Sequence, residues 1–410
     1  MTQVVDTAED RASELRNALT DKLRADGMIT SSVVEAAFRR VPRHAFVPPE
    51  TPLEVTYSVD ASIVTKRDDS GLPISSISAA YIQVRMIEQA QVAPGMTVLE
   101  VGSGGYNAAL LAEVVGPGSR VVSVDIDQEV IERARALLAA TGYGDRVEVV
   151  LADAAHPVRD PGTFDGALIT VGAWDIAPVW LDQLAPDGTL VVPLIMNGVT
   201  RTIGFRRADG HLASTSVEVA GFVPLQGDGA HPERVFVLPD AQGHEITLRF
   251  DVGAPSDPSL LDGVLETERV ELWSGVTTPH GVSFADLYLW FACHLPGFCR
   301  VVAGTGTDLA AEPKTWFPFG AVCGGSFAYL AVRPALAGGG VEFGTRAYGN
   351  GRAGTVMLEQ IQVWDRHARD HQPPTFGYWP AGTDRSRLPA GAVVMEKDRG
   401  LVTISWPATD

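Results

Sequence analysis

VLEVGSGGYNAALLAEVVG, residues 98–116, decides the fold. An apolar run carrying one acid, Glu100, leads into Gly102, Gly104 and Gly105. An alanine-rich pattern with helical spacing follows at once. Glycines set between a strand and a helix let a ligand come close to the backbone. The stretch therefore predicts a buried strand, a tight turn at a binding site, and a helix over 107–115.

The same alternation extends outward. Residues 96–101, 120–125, 147–153, 164–171 and 189–194 read as strands. Residues 128–141, closed by Gly142, and 176–184 read as helices, with a turn at 185–188. Repeated strand–helix units imply a parallel sheet covered on both faces. Ligands in such sheets bind at the carboxyl ends of the strands. The fold class is α/β, a Rossmann-like, mostly parallel doubly wound sheet with N-terminal helices and an extra C-terminal α+β domain.

Upstream, Ala12, Leu15, Ala18, Leu19 and Leu23 give residues 8–25 an apolar helical stripe, and a second helical pattern covers 30–41. Residues 57–78, YSVDASIVTKRDDSGLPISSIS, are polar and turn-rich, and too long for a mere connection. Beyond about residue 220 come β-like segments, glycine-rich turns and one apolar helix pattern at 284–295. The organisation expected is helices and a substrate loop over 1–75, a core over 76–227, a linker over 228–245 and a separate domain over 246–410.

The 410 residues are 45% hydrophobic with a net charge of −18. That balance disfavours nucleic acid, which demands basic neutralisation, and suits a cationic ligand. The N-terminus lacks the basic and apolar regions of a signal peptide, and no apolar run is long enough to span a bilayer. The expectation is a cytoplasmic protein with no membrane partner. Cys293, Cys299 and Cys323 form an odd set without metal spacing, and read as reduced thiols. His280, His294, His367 and His371 show no partner spacing, so no metal is expected.

A dinucleotide fingerprint wants Gly-x-Gly-x-x-Gly, but its third position here is Asn107. Glu100 would repel a pyrophosphate and attract a cation. S-adenosyl-L-methionine carries a sulfonium and an ammonium and no phosphate, so it fits better; its product is S-adenosyl-L-homocysteine. Asp125 ends the next strand where an acid can take both ribose hydroxyls. Asp153 ends the third and is placed to accept from an adenine amino group. Ser103, Gly104, Gly105, Ile126 and Ala154 complete the expected cofactor set, with Thr170 ending the fourth strand. Asp127 reads instead as a helix N-cap.

Ser76-Ile77-Ser78-Ala79-Ala80-Tyr81-Ile82 stands just before the glycine motif. With residues 33–50, 164–194 and 221–227 (GFVPLQG), it resembles the protein-L-isoaspartate O-methyltransferase family over about residues 10–227. There are departures. The glycine loop is one residue shorter than is usual in that family. Ala79-Ala80 replaces Gln-Pro, residues 64–76 replace a compact segment, and the chain runs on. Such a long variant looks like the homologues found beside lanthipeptide biosynthesis enzymes.

The resemblance implies a carboxyl O-methyltransferase that esterifies an aspartate in a ribosomally made, modified peptide, leading through aspartimide to isoaspartate. The alternative it implies is general repair of isoaspartyl proteins. It places Ser78 nearest the acceptor, its hydroxyl donating to one carboxylate oxygen, with Ser75 and Ser76 as fallbacks. Ile77 and Val171 complete the substrate side. From their positions, Lys66 reads as a solvated loop charge or as a cation steering an acidic group, and Trp174 as core packing, as a shield of the donor or as a contact to the peptide. The partner implied is a peptide.

Overall fold

The computed structural model describes residues 8–69, 71–336, 339–369 and 372–407. Five parallel strands lie in the order Val147–Leu151, Val121–Asp125, Val98–Val101, Phe164–Ile169, Leu184–Met196. Both faces of this sheet are covered, so its strands carry almost continuous apolar runs. Val98 and Val121 join one core with the helix Tyr106–Val115, while Leu99, Val101, Val122 and Val124 join another. The helix Gln128–Ala140 starts where Asp127 accepts from the backbone of Glu129 (3.0 Å) and Val130 (3.2 Å), the N-cap that its position predicts. The turn expected at 185–188 lies inside the last strand. There the register jumps from Phe164 opposite Leu184 to Gly166 opposite Thr189.

The sheet then continues antiparallel through Val199–Ala208 and His211–Val219. Its next neighbours are Thr375–Pro380, Gly400–Ser405 and Val393–Glu396, from the end of the chain. This moves the boundary expected at residues 246–410. Phe376, Tyr378, Val402 and Ile404 bury themselves with Leu190, Val192 and Ile203. The open edge of His211–Val219 is paired by residues from far along the sequence, so the second unit is an insertion rather than a C-terminal domain.

That insertion has a seven-stranded antiparallel sheet running from Arg234–Pro239 at one edge to Val270–Thr278 at the other. Arg234–Pro239 falls in the segment read as linker, and it pairs with Glu245–Phe250. Helices Ala285–His294 and Arg352–His367 bury Leu287, Phe291, Met357 and Ile361 against one face. Cys293, Cys299 and Cys323 are free, and burial pushes the first two thiols up in pKa. His371 lies outside the described residues.

The N-terminal helices Ala8–Ala25 and Ser32–Arg40 pack on the first core. The polar stretch 57–78, expected to be irregular, contains a hairpin, Ile63–Arg67 against Pro73–Ile77, with two register shifts. Among the described residues, no helix is long and apolar enough to cross a membrane.

Candidate functional site

The strand Val98–Val101 ends in a turn that only glycine can make. Gly102 has φ +100°, and a Cβ there would stand 2.4 Å from Thr170 Oγ1. Thr170 Oγ1 in turn donates to the carbonyls of Val101 (2.8 Å) and Gly102 (3.1 Å). Gly105 has φ +83° and packs on Phe46. The turn thus leaves its backbone bare at the carboxyl end of the sheet.

A cavity of about 550 Å³ opens there. Gly102, Ser103, Gly104, Asp125, Thr170 and Val171 line it, and so do Ser75, Ser76 and Ser78. Part of the expected cofactor set and the three serines of the expected acceptor segment thus line one space. Beside it lies a narrower slot lined by Ile126, Ala152, Ala154 and Leu225.

Asp125 is mostly buried, which raises its pKa against the opposing pull of backbone N–H groups. Its Oδ2 accepts from Ser103 N (2.9 Å) and its Oδ1 from Asp127 N (3.0 Å). The two carboxylate oxygens have about four lone-pair sites between them, so capacity remains for a further donor.

Glu100 is placed differently from its expected role. It lines none of these spaces. It is fully buried, hydrogen-bonded by Ser123 Oγ, and accepts from Asn107 Nδ2 at 2.9 Å. Burial pushes its pKa up to about 7 against those two bonds. Its carboxyl group ties the strand to the following helix instead of facing the crevice. The neighbour missed by sequence reasoning is Asn107. Its Oδ1 is buried with no hydrogen-bond partner, and the residue lines a recess with Ser78, Gly102 and Gly104. Its place in the broken fingerprint was the signal.

Asp153 also stays out of the cavity. Its Oδ1 accepts from Ala155 N and its Oδ2 from Asp228 N, both at 2.8 Å. The turn through Gly227 covers it so closely that a Cβ at 227 would lie 2.2 Å from Oδ2. His156 stands 3.0 Å from Asp228, so Asp153, His156 and Asp228 bring ligand atoms within 4.8 Å of one another. Sequence spacing showed no such group, because Asp228 arrives from the far side of the core.

On the substrate side, the protein holds Ser78 by its carbonyl, which accepts from Arg43 at 2.8 Å. Arg43, unremarked in the sequence, is fully buried and also donates to Thr56 O (2.8 Å) and Gln83 Oε1 (2.6 Å). Ser75 Oγ is taken up by Thr65 Oγ1 (2.9 Å) and Arg133 (3.2 Å). Ile77 is buried and touches the glycine turn. Lys66 is tied to acids of the protein itself. Its Nζ sits 2.8 Å from Asp127 and 2.7 Å from Glu129, pinning the hairpin to a helix start and raising the lysine pKa. Trp174 is buried elsewhere, stacked on His231 at 4.0 Å in a second cavity.

A glycine turn after the first parallel strand, an acid ending the second, and a cavity at the strand ends define an α/β methyltransferase of the Rossmann-like class. The model of the family described as protein-L-isoaspartate(D-aspartate) O-methyltransferase matches residues 13–230, and the chain belongs to that family. It is similar to the protein-L-isoaspartate O-methyltransferase of Hyperthermus butylicus, at 35% identity over 54% of this chain and 92% of that protein. The protein-L-isoaspartate O-methyltransferase 2 of Archaeoglobus fulgidus is also 35% identical, over 52% of this chain and 94% of its own. A solved protein-L-isoaspartate O-methyltransferase aligns with 88% of this chain and 96% of its own at 19% identity, with a TM-score of 0.49. The chain is thus an S-adenosyl-L-methionine-dependent carboxyl O-methyltransferase.

Proposed function

We propose that the chain methylates the side-chain carboxylate of an isoaspartyl residue in a peptide or protein segment. The observation that carries this is the single cavity joining Ser78 to Gly102, Gly104 and Asp125. When bound, S-adenosyl-L-methionine supplies an electrophilic methyl group on its sulfonium. Asp125 offers its free lone pairs to the ribose hydroxyls. Asn107 Oδ1 offers an acceptor to the ammonium, the part that Glu100 had in the sequence reading. Ile126, Ala154 and Leu225 form an apolar slot for the adenine, and the glycines allow close approach. Ser78 donates its hydroxyl to one oxygen of the acceptor, while Arg43 fixes the backbone that carries it.

No general base is required, because a carboxylate with an ordinary pKa near 4 is already ionised at neutral pH. The protein's task is alignment and exclusion of water. The hairpin 63–77 and the segment around Phe222 wall the cavity for that purpose.

The inserted unit favours a second reading. The two relatives above align with little more than half of this chain. A whole added sheet beside the site suits a dedicated substrate, such as an aspartate in a thioether-bridged ribosomal peptide, esterified and then closed to aspartimide. One experiment separates the two. The purified chain and S-adenosyl-L-methionine are given matched aspartyl and isoaspartyl peptides, linear and bridged, and followed by mass. Repair chemistry adds one methyl group to the isoaspartyl forms alone. The dedicated activity adds it to the bridged aspartyl form, followed by loss of methanol. Methylation of none of the four sinks both.

A further inference from the structure

We propose that the cleft between Trp174 and Arg300 is a second substrate subsite, which binds a carboxylate on the peptide flanking the methyl acceptor. The inference rests on the peptide-carboxylate reading above. The cleft encloses about 360 Å³ where the inserted unit meets the core sheet. It shares Phe222 and Pro224 with the methyl-transfer cavity. A chain that crosses those two residues leaves one space and enters the other.

Two guanidinium groups and two carboxylates line the cleft, but they do not pair one to one. Arg249 and Arg300 are register partners on neighbouring strands. Both turn to one carboxylate, Glu233, which Arg249 meets at 3.0 Å and Arg300 also contacts. Two guanidinium groups, with five N–H donors each, are thus served by a single acid. Arg300 Nε is buried without a partner, and so is Nε1 of Trp174. Buried donors are costly unless something accepts from them.

The other acid, Asp251, is engaged: its carboxylate accepts from Gly198 N, and its carbonyl meets His231 Nε2 at 2.9 Å. Lys397 Nζ sits 3.2 Å from the Trp174 ring centre and donates to Ile195 O at 2.7 Å. Burial lowers the Lys397 pKa to about 7, and Asp251, Asp175 and Asp398 all act on it, so the donors left over in the cleft are those of Arg300 and Trp174. The face continues outward as an open apolar strip. Val235 shares the row of Arg249 and Arg300, and the next row brings Val237 and Val302, all three exposed. A peptide segment with a carboxylate and an apolar flank fits both the unpartnered donors and the strip.

The test uses the full-length chain saturated with S-adenosyl-L-homocysteine, and two labelled isoaspartyl peptides that differ only in glutamate against glutamine at the flanking positions. Binding is read by fluorescence polarisation on that complex, and KM separately by methyl transfer from S-adenosyl-L-methionine with no S-adenosyl-L-homocysteine added. The glutamate peptide should bind about tenfold tighter, the equivalent of one charge-assisted contact. R249Q/R300Q should erase that preference, while calorimetry shows unchanged S-adenosyl-L-homocysteine affinity. E233Q, which removes the competing acid, should enlarge it. Equal binding of the two peptides to the wild-type chain overturns the subsite, as does a preference that survives R249Q/R300Q or is abolished by E233Q. If neither peptide is methylated, the proposed acceptor falls, while the polarisation result still decides the subsite.

Discussion

The floor and the roof of the methyl-transfer cavity are built by different forces. The floor is the turn after Val98–Val101 and the end of Val121–Asp125. It is held by buried backbone and largely buried polar groups: Gly102 N donates to Val124 O at 2.8 Å, Ser103 N donates to Asp125, and the hydroxyls of Ser103 and Ser123 lie 2.8 Å apart. The roof is the hairpin 63–77. Ile77 anchors it by burial, but its other ties are half-exposed: Lys66 to Asp127 and Glu129, and Arg133 to Thr65 and Ser75. Buried hydrogen bonds are expensive to break, whereas exposed ion pairs contribute little. The floor therefore sets where a cofactor sits, and the roof is the wall that gives way to a substrate.

The strongest challenge to this contrast is at the joint between the two. R43A leaves the carbonyls of Thr56 and Ser78 and the amide of Gln83 unpaired in the interior, at about 1–3 kcal/mol each. A loss of at least about 3 kcal/mol in chemical denaturation is expected. A stability near wild type would mean that Arg43 ties nothing together. In the floor, D125A should weaken S-adenosyl-L-homocysteine by at least about 100-fold in calorimetry, the worth of two hydrogen bonds to a charged acceptor. A few-fold change would remove Asp125 from the cofactor's seat.

Glu100 sharpens the floor through pH. Its pKa rises from the ordinary 4.5 to about 7 on folding. The folded state then binds more protons than the unfolded chain between those values, so this group's contribution to stability falls as pH rises from about 4.5 to about 7. E100Q should remove that slope, on the order of 2 kcal/mol between pH 5 and pH 8, with little effect on cofactor affinity. A large loss of affinity would return Glu100 to the crevice. The smallest effect belongs to the roof: K66A should change the peptide KM by less than about twofold, since its part-buried ion pairs join the hairpin to the protein and not to the acceptor. A tenfold rise would restore the steering role suggested by the sequence.

The legible residues were those whose surroundings lie close by in the chain. Gly102, Gly104 and Gly105 stand between a strand and a helix, and the bond from Asp127 to Glu129 and Val130 is complete within four residues. Glu100 was misjudged because a strand alternates its faces. Both faces of the strand are buried, and only the packed helix Tyr106–Val115, through Asn107, shows that Glu100 is held beneath that helix and not turned into the crevice. Asp153 was misjudged because its covering turn, 226–228, comes from the far side of the core. Trp174 read equally well as a shield or as packing until His231 and Lys397, from distant segments, closed around it. Of the strands that close the first sheet, only the stretch 401–406 reads as β-like in the sequence, and nothing in an apolar alternation says which edge it will pair with.

By itself, the sequence determined the order of strands and helices through the core, the glycine turn, the acid at 125 and the family, because these depend on contacts within a few residues or on motifs kept in line. Only the tertiary structure decided that the chain's end returns to complete the first sheet, that Asn107 rather than Glu100 faces the recess, and that Arg249, Arg300 and Trp174 share a cleft. Each of those depends on which surfaces become buried together, a property of the packed whole and not of any local stretch.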